Sequence, residues 1–296
     1  MSVLRVGTRG SELALWQTGW VCDLLLKAHP KLDIQRVIIK THGDVATEQK
    51  FDADWPAGGF VSAIEQAMLR REIDLAVHSF KDVPTAATPG LVIAAIPCRE
   101  VAHDVLVTRA PVDLGNIPPG FRLGTSSPRR AAQFRRHAPI TLVPIRGNVP
   151  TRVRKVEEGA IDGVVLAAAG LKRLQLHPRH RIDLPMDRFV PSPAQGALAV
   201  QTRADDPARA TAATLDHAES RLAVEAERQF LKVIGAGCHV PLGAHALIDA
   251  GTIRLHGQLF TDDFSRVVEG TEVGRDPTEM GERLAKRLQA ELNCSS

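Results

Sequence analysis

The sequence predicts an α/β protein with a separate α+β unit at its C-terminal side. Three observations carry that expectation. Over the first two thirds of the chain, apolar runs of strand length alternate with segments of helix length. After residue 217 a long amphipathic segment is followed by three strand-like runs in succession and a last helix. A chain of 296 residues, 44% hydrophobic, can bury substantial cores but is too long for one, so two or three domains are expected.

In order, Leu4 to Thr8 is a strand, and Ser11 caps a helix whose apolar positions Leu13, Trp16, Trp20 and Leu24 follow a helical period until Pro30 stops it. Ile34 to Ile39 is the next strand. Thr41 to Gly59 is polar, long for a connection within an α/β domain, and therefore a lid or binding-loop candidate. Phe60 to Arg70 reads as a helix and Ile73 to Val77 as a buried strand. A second α/β unit begins near Asp104, with a strand Phe121 to Gly124 leading into the helix start Ser126-Ser127-Pro128. Ile140 to Ile145 is a strand, then Arg146-Gly147-Asn148 opens a helix carrying Arg152, Arg154 and Lys155. Val164 to Ala167 is a strand and Leu171 to Leu174 a short helix. Pro185, Pro191 and Pro193 break the pattern, as a return crossing between domains would. From His217 an amphipathic helix (Leu222, Val224, Phe230, Val233) reaches Gly235, and Ala244 to Ile248, Ile253 to Phe260 and Arg266 to Val273 precede a helix from Pro277 to Leu292. No internal repeat is evident.

The net charge of +3 hides an asymmetry: between Phe121 and Arg181 eleven Arg and two Lys face only Glu157, Glu158 and Asp162, a local excess of +10. A polyanionic partner is implied. Nucleic acid is disfavoured, because only Phe121 and Phe134 supply rings for base stacking in that segment. Cys22, Cys98, Cys238 and Cys294 are far apart, which indicates neither a disulfide framework nor a metal site. Cys22 reads as a small core residue and Cys294 as a bystander; only Cys238 sits in a glycine-rich turn. His177 and His180 read as solvated loop histidines. No stretch approaches the roughly 20 apolar residues that cross a bilayer, and no leader-like segment opens the chain, so the cytoplasm is the expected location.

The segment Val77-His78-Ser79-Phe80-Lys81-Asp82-Val83-Pro84 places a lysine, a carboxylate and a histidine where an apolar strand runs out, the end of an α/β sheet at which ligands bind. Taken alone, Asp82 is equally well a helix cap. Three more segments stand beside it: Thr8-Arg9-Gly10-Ser11-Glu12-Leu13-Ala14-Leu15-Trp16-Gln17, Gly124-Thr125-Ser126-Ser127-Pro128-Arg129-Arg130 and Gly235-Ala236-Gly237-Cys238-His239-Val240-Pro241. In this order and at these separations the four closely resemble the porphobilinogen deaminases (hydroxymethylbilane synthases), over essentially the whole chain.

The resemblance implies two periplasmic-binding-protein-like (type II) domains plus a small C-terminal α+β domain: 1–98 with 195–215, then 99–194, then 216–296. It implies a monomeric transferase of tetrapyrrole biosynthesis that condenses four porphobilinogens head to tail on a covalent dipyrromethane, releasing ammonia and finally hydroxymethylbilane. By matching motifs, Asp82 is the catalytic carboxylate, with Lys81 and His78 tuning or positioning it, and Cys238 carries the dipyrromethane through a thioether. Arg129, Arg130, Ser126 and Ser127, with Lys81 and Asp82, bind that cofactor. Arg9, Ser11, Gln17, Arg146, Arg152, Arg173 and Gln195 bind substrate, and no metal is implied. Arginine suits this task because its planar fork matches a carboxylate bidentately.

The chain departs from the family pattern at several points. His42 replaces an arginine, Ala57 and Ser62 replace lysines, Pro128 replaces a common leucine, and Ala194-Gln195-Gly196 stands for a common Gly-Gln-Gly. These substitutions motivate an alternative, a catalytically impaired paralogue. A non-catalytic small-ligand-binding protein on the same scaffold is another, disfavoured by the joint presence of Asp82 and Cys238.

Overall fold

A computed structural model describes residues 3–39, 59–235 and 240–294, without the side chains of 59 and 60. In chain order the elements are β1 (Leu4–Thr8), α1 (Glu12–Ala28), β2 (Ile34–Ile38), α2 (Gly59–Leu69), β3 (Leu75–Ser79), a 3-10 turn (Phe80–Asp82) and β4 (Leu91–Ala95). Then come β5 (Asp104–Thr108), β6 (Arg122–Gly124), α3 (Pro128–His137), β7 (Thr141–Val143), α4 (Val149–Glu157), β8 (Gly163–Ala167), α5 (Ala168–Arg173) and β9 (His180–Asp183). The chain continues through β10 (Leu198–Arg203), α6 (Ala208–Ala213), α7 (Ala218–Ile234), β11 (Leu242–Asp249), β12 (Thr252–Phe260), β13 (Val267–Gly274) and α8 (Pro277–Cys294). It groups into two compact units, Met1–Glu100 with Ala197–Arg221, and Val101–Gly196 with Leu222–Ser296.

The first unit holds a five-stranded sheet in the order β2-β1-β3-β10-β4. Strands β2, β1 and β3 run parallel, and β10 is antiparallel to both of its neighbours. Val21, Cys22 and Leu25 of α1 pack on Leu4, Val6, Leu75, Val77, Leu198 and Val200, while Ile64, Ala67 and Met68 of α2 join Ile73 and Leu91 in a second cluster. The buried line of α1 is thus Gln17, Val21 and Leu25, not the expected Leu13, Trp16, Trp20 and Leu24; those residues flank it, with Trp16 stacked on Trp20 at 6.4 Å. A helix wide enough in apolar residues leaves its docking line ambiguous by one position, and here the polar Gln17 and Thr18 are inside.

The second unit holds a five-stranded sheet in the order β7-β6-β8-β5-β9, again with three parallel strands and a fourth antiparallel to both neighbours. It also holds an antiparallel sheet β11-β12-β13, on which Phe230 of α7 and Leu284 and Leu288 of α8 close a separate core. The α/β class with an added α+β portion is therefore the expected one. The two five-stranded sheets repeat one plan, although the sequence shows no repeat. Even a polar detail recurs: Arg5 of β1 grips Asp74 with its backbone N–H and both ends of its fork (2.9, 3.0 and 2.6 Å), and Arg122 of β6 grips Asp162 in the same way (2.8, 3.2 and 2.7 Å). Burial pushes Asp74 up, but the hydrogen bonds from Arg5 and Arg203 prevail and hold it below the usual carboxylate range.

Two expectations need correction here. β3 ends at Ser79 rather than Val77, because its pairing with the distant β10 (Ser79 opposite Leu198, His78 opposite Ala199) extends it past the apolar run. His180 is not in a loop but on β9, an edge strand of alternating exposure paired to β5, whose lone inward apolar residue Ile182 gave too little periodicity to read. Strands β4, β5 and β10 also escaped the reading of elements. No helix among the described residues is long and apolar enough to cross a membrane.

Candidate active site

In the first unit, β1 ends at Thr8 and the chain turns through Arg9 and Gly10 into α1. Ser11 is the N-cap, its hydroxyl oxygen accepting from the Ala14 N–H at 3.4 Å. Arg9 is half-buried at this turn. Gln17, one and a half turns into α1, is 3% exposed, and its side-chain amide meets the Ser79 hydroxyl at 2.9 Å, so it ties α1 to the end of β3.

Beyond Ser79 the 3-10 turn carries Phe80 inward, 4% exposed, while Asp82 lies exposed and Lys81 half-buried. Two backbone bonds fix the turn: Phe80 N–H donates to the Ala197 carbonyl at 3.0 Å and Val83 N–H closes back on Phe80 at 3.2 Å. An apolar anchor on each side thus presents one carboxylate and one ammonium on a short rigid segment.

His78 takes another direction. It is buried, with its Nε2 at 3.0 Å from the Gln201 amide oxygen; Gln201 donates on to Glu65 at 2.8 Å, and Glu65 accepts from Thr88 at 2.7 Å. Burial pushes the imidazole down to about 4, against weaker support from Gln201 and Glu65, so it is neutral at physiological pH. Its bonded partner Gln201 is on β10 and is held in turn by Glu65 of α2, so His78 is part of a tie within the sheet.

In the second unit Ser127, not Ser126, is the N-cap of α3, its hydroxyl 3.5 Å from the Arg130 N–H, with Pro128 at the first helical position. The Ser126 hydroxyl donates to the Ile145 carbonyl at 2.8 Å and accepts from the Ile145 N–H at 3.0 Å, stitching the end of β6 to the segment after β7. Arg129 and Arg130 follow at once, 5% and 8% exposed. Both converge on Asp104, the first residue of β5 and 1% exposed: Arg129 Nη2 donates to it at 2.8 Å, Arg130 Nη2 and Nε at 2.7 and 3.3 Å. Gln195, fully buried, adds its amide N–H at 2.9 Å and shares it with the Ala102 carbonyl. Arg129 Nη1 also donates to Gln133 and the Val190 carbonyl, and Arg130 Nη1 to the Val165 carbonyl. Burial pulls the Arg129 guanidinium down and the neighbouring Arg130 charge adds to this, while Asp104 opposes them.

Arg152 lies close enough to feel Arg130, whose charge, after burial, lowers it. Its Nε donates to the Gly147 carbonyl at 2.8 Å. Gly147 is at φ +111, and a Cβ there would come within 2.8 Å of Thr151, so this turn requires glycine. Arg146, in the same turn, is exposed. Arg173, at the last turn of α5 and 7% exposed, donates to the Gly196 carbonyl at 2.7 Å. Arg129, Arg130 and Gln195 are thus brought together on one carboxylate, with Arg152 beside them.

Sequence reasoning missed Asp104 and Glu227. A lone acid opening an apolar strand was the available signal for Asp104. Glu227, fully buried on α7, accepts the N–H groups of Ala194 and Ala246 at 2.7 and 2.8 Å. It holds Ala194 at φ +61, a left-handed conformation that glycine adopts without strain. Cys238 and the 41–58 segment, with His42 and Ala57, lie outside the described residues; Ser62 is exposed on α2. Among the described residues no group of His, Cys, Asp and Glu could hold a metal.

The first unit thus carries an exposed carboxylate on a braced turn, and the second a buried arginine pair oriented by a carboxylate, a donor type suited to anionic groups. The family described as "Porphobilinogen deaminase, dipyromethane cofactor binding domain" matches residues 4–211, and its C-terminal domain matches 221–290. A porphobilinogen deaminase of Desulforudis audaxviator is 43% identical over 96% of this chain and 93% of its own; one of Roseiflexus castenholzii is 43% identical over 96% and 95%. Among solved structures, the periplasmic aliphatic sulphonate binding protein SsuA from Escherichia coli aligns with TM-score 0.41 and 18% identity over 78% of this chain and 70% of its own.

Proposed function

Since the chain belongs to the porphobilinogen deaminase family, we propose a division of labour among its own residues in that reaction. The enzyme joins four porphobilinogens head to tail on a covalent dipyrromethane, with loss of ammonia at each addition, and releases hydroxymethylbilane by hydrolysis. We assign it to the transferases, working as a monomer in the cytoplasm.

The donor set fits the cofactor. Each pyrrole ring carries an acetate and a propionate, and among the described residues the two buried guanidiniums of Arg129 and Arg130 share a single carboxylate, Asp104, so one positive charge remains for a ligand. When bound, dipyrromethane supplies an electron-rich ring that attacks the incoming substrate and stays with the protein. Cys238 is the residue proposed to hold it, since a thiolate is a strong carbon nucleophile.

Asp82 acts on the reacting atoms. Porphobilinogen arrives with an aminomethyl ammonium, its C–N bond breaks to release ammonia, and positive charge spreads from the methylene carbon to the ring nitrogen. A fixed carboxylate pairs with the ammonium, then stabilises that ring charge, and accepts the ring proton displaced when the new C–C bond has formed. Lys81, beside it on the turn, balances its charge and meets substrate or cofactor carboxylates. Arg9, Arg146, Arg152 and Arg173 bind the carboxylates that accumulate as rings are added. Ser11, Ser126 and Ser127 act mainly through the backbone they brace. Gln17 and Gln195, both buried, position Ser79 and Asp104 rather than meeting the substrate from the surface.

The observation that carries this reading is the convergence of Arg129, Arg130 and Gln195 on Asp104, which a surface-charge role does not require. Protein made in a host that synthesises porphobilinogen should show, in denaturing mass spectrometry, an excess of two pyrrole units, and Cys238→Ser should lack it while remaining folded. Bare mass for the unsubstituted protein, or normal porphobilinogen consumption by Cys238→Ser, would overturn the reading.

A further inference from the structure

We propose that Asp104 is a positioning residue for carboxylate recognition: it fixes the planes of Arg129 and Arg130 and limits their combined charge to one, so that cofactor carboxylates are received in a single orientation. This rests on the reading of those two arginines as carboxylate binders. Asp104 accepts four hydrogen bonds from three side chains at 1% exposure. Stability alone gives little reason for such a group, because a buried ion cluster is commonly matched or bettered by well-packed apolar residues. Orientation does give a reason. Each guanidinium has five N–H donors in a fixed plane. The described bonds use three on Arg129 and three on Arg130, and the positions of those bonds determine where the other two of each must point.

Charge is the second half of the argument. Two guanidiniums on successive residues repel one another, and burial makes that repulsion more costly. Asp104 accepts from both, on different oxygens for their closest bonds, and so holds them side by side. Replacing its carboxylate by an amide would set N–H donors against N–H donors and turn at least one fork away.

The test uses the full chain expressed in a porphobilinogen-making host, with Asp104→Asn, Asp104→Glu and Gln195→Met. Thermal midpoint, the fraction carrying the two-pyrrole mass excess and porphobilinogen turnover per loaded molecule are measured together. Asp104→Asn is expected to lower the loaded fraction or the turnover per loaded molecule by about ten-fold or more. Asp104→Glu should recover part of the loss, and Gln195→Met, which removes one bond and no charge, should lose less than Asp104→Asn. Folded Asp104→Asn loaded like the wild type, with turnover within about two-fold of it, would overturn the proposal. If Asp104→Asn does not fold, wild-type loading and turnover in both other variants would overturn it equally. An unsubstituted protein that is unloaded and inert toward porphobilinogen would instead remove the functional reading beneath it.

Discussion

Side by side, the two five-stranded sheets set different side chains at matching strand ends. After β1 come Thr8, Arg9, Gly10 and the capping Ser11; after β6 come Thr125, Ser126, the capping Ser127, Pro128 and the paired Arg129 and Arg130. After β3 a 3-10 turn offers Lys81 and Asp82; after β8 the short helix α5 ends in Arg173. Asp82 is exposed on its turn, whereas Arg129 and Arg130 are buried and tied down. A shared backbone plan thus leaves the chemistry free to differ. The carboxylate proposed to react lies exposed, and the charges proposed to hold the cofactor are locked by second partners.

The largest expected effect tests the first half of that contrast. Asp82→Asn should fold normally and lose turnover by about a hundred-fold or more, the usual span for a positioned acid or base, while Asp82→Glu retains more. Asparagine that performs like the wild type across a pH-rate profile would take Asp82 out of the chemistry. A second effect belongs to β3 itself. His78 titrates near 6.5 when unfolded and at about 4 when folded, so the unfolded chain binds the extra proton first as pH falls. Stability contributed by the neutral ring is full above pH 6.5 and is lost progressively down to about pH 4, by up to about 3 kcal/mol. His78→Gln, measured by urea unfolding across that range, should flatten the slope; an unchanged slope would show that other groups set it.

The recurring Arg–Asp grip allows a direct comparison. Asp74 serves Arg203 as well as Arg5 and is 14% exposed, whereas Asp162 serves Arg122 at 35% exposed. Asp74→Asn should therefore destabilise by about 2 kcal/mol, since it removes one of the two carboxylates paired with buried Arg203 and leaves Asp206 alone, and Asp162→Asn by clearly less. Equal shifts in chemical midpoint would mean that burial does not separate the two grips. The smallest effect is at Ala194. Glycine there removes about 1–2 kcal/mol of left-handed strain and adds about 0.5–1 kcal/mol of unfolded-state entropy, for a net gain of up to about 1.5 kcal/mol. A lower thermal midpoint for Ala194→Gly would show that Glu227 holds the loop equally well without strain.

Much of this was legible in the residues. Strand β1, the Ser11 and Ser127 caps, the helix after Asn148 and the whole β11-β12-β13-α8 portion follow from local signals, each within a few residues of its partner. What escaped is nonlocal. β10 finds β3 and β4 across more than a hundred residues, and β9 is polar because it is an edge. Asp104 and Glu227 carry no motif, since a buried acid is recognised only by the donors that fold around it. Motifs located the arginines and Asp82, but whether a guanidinium is braced or presented depends on three-dimensional neighbours.

The position of β10 has a consequence for synthesis on the ribosome. The strands of the second five-stranded sheet, β5 to β9, lie within Asp104–Asp183, so that sheet has all its parts once residue 183 has emerged. The first sheet begins earlier in the chain but lacks its fourth strand, between β3 and β4, until Arg203 is made. β3 and β4 must wait with unpaired edges while the later sheet assembles, which exposes apolar residues such as Leu75 and Val77 to wrong pairing or to chaperones. In the nascent chain, order of folding is therefore the reverse of order of synthesis, and the turn bearing Asp82, which hangs on the Ala197 carbonyl, is set only after that return.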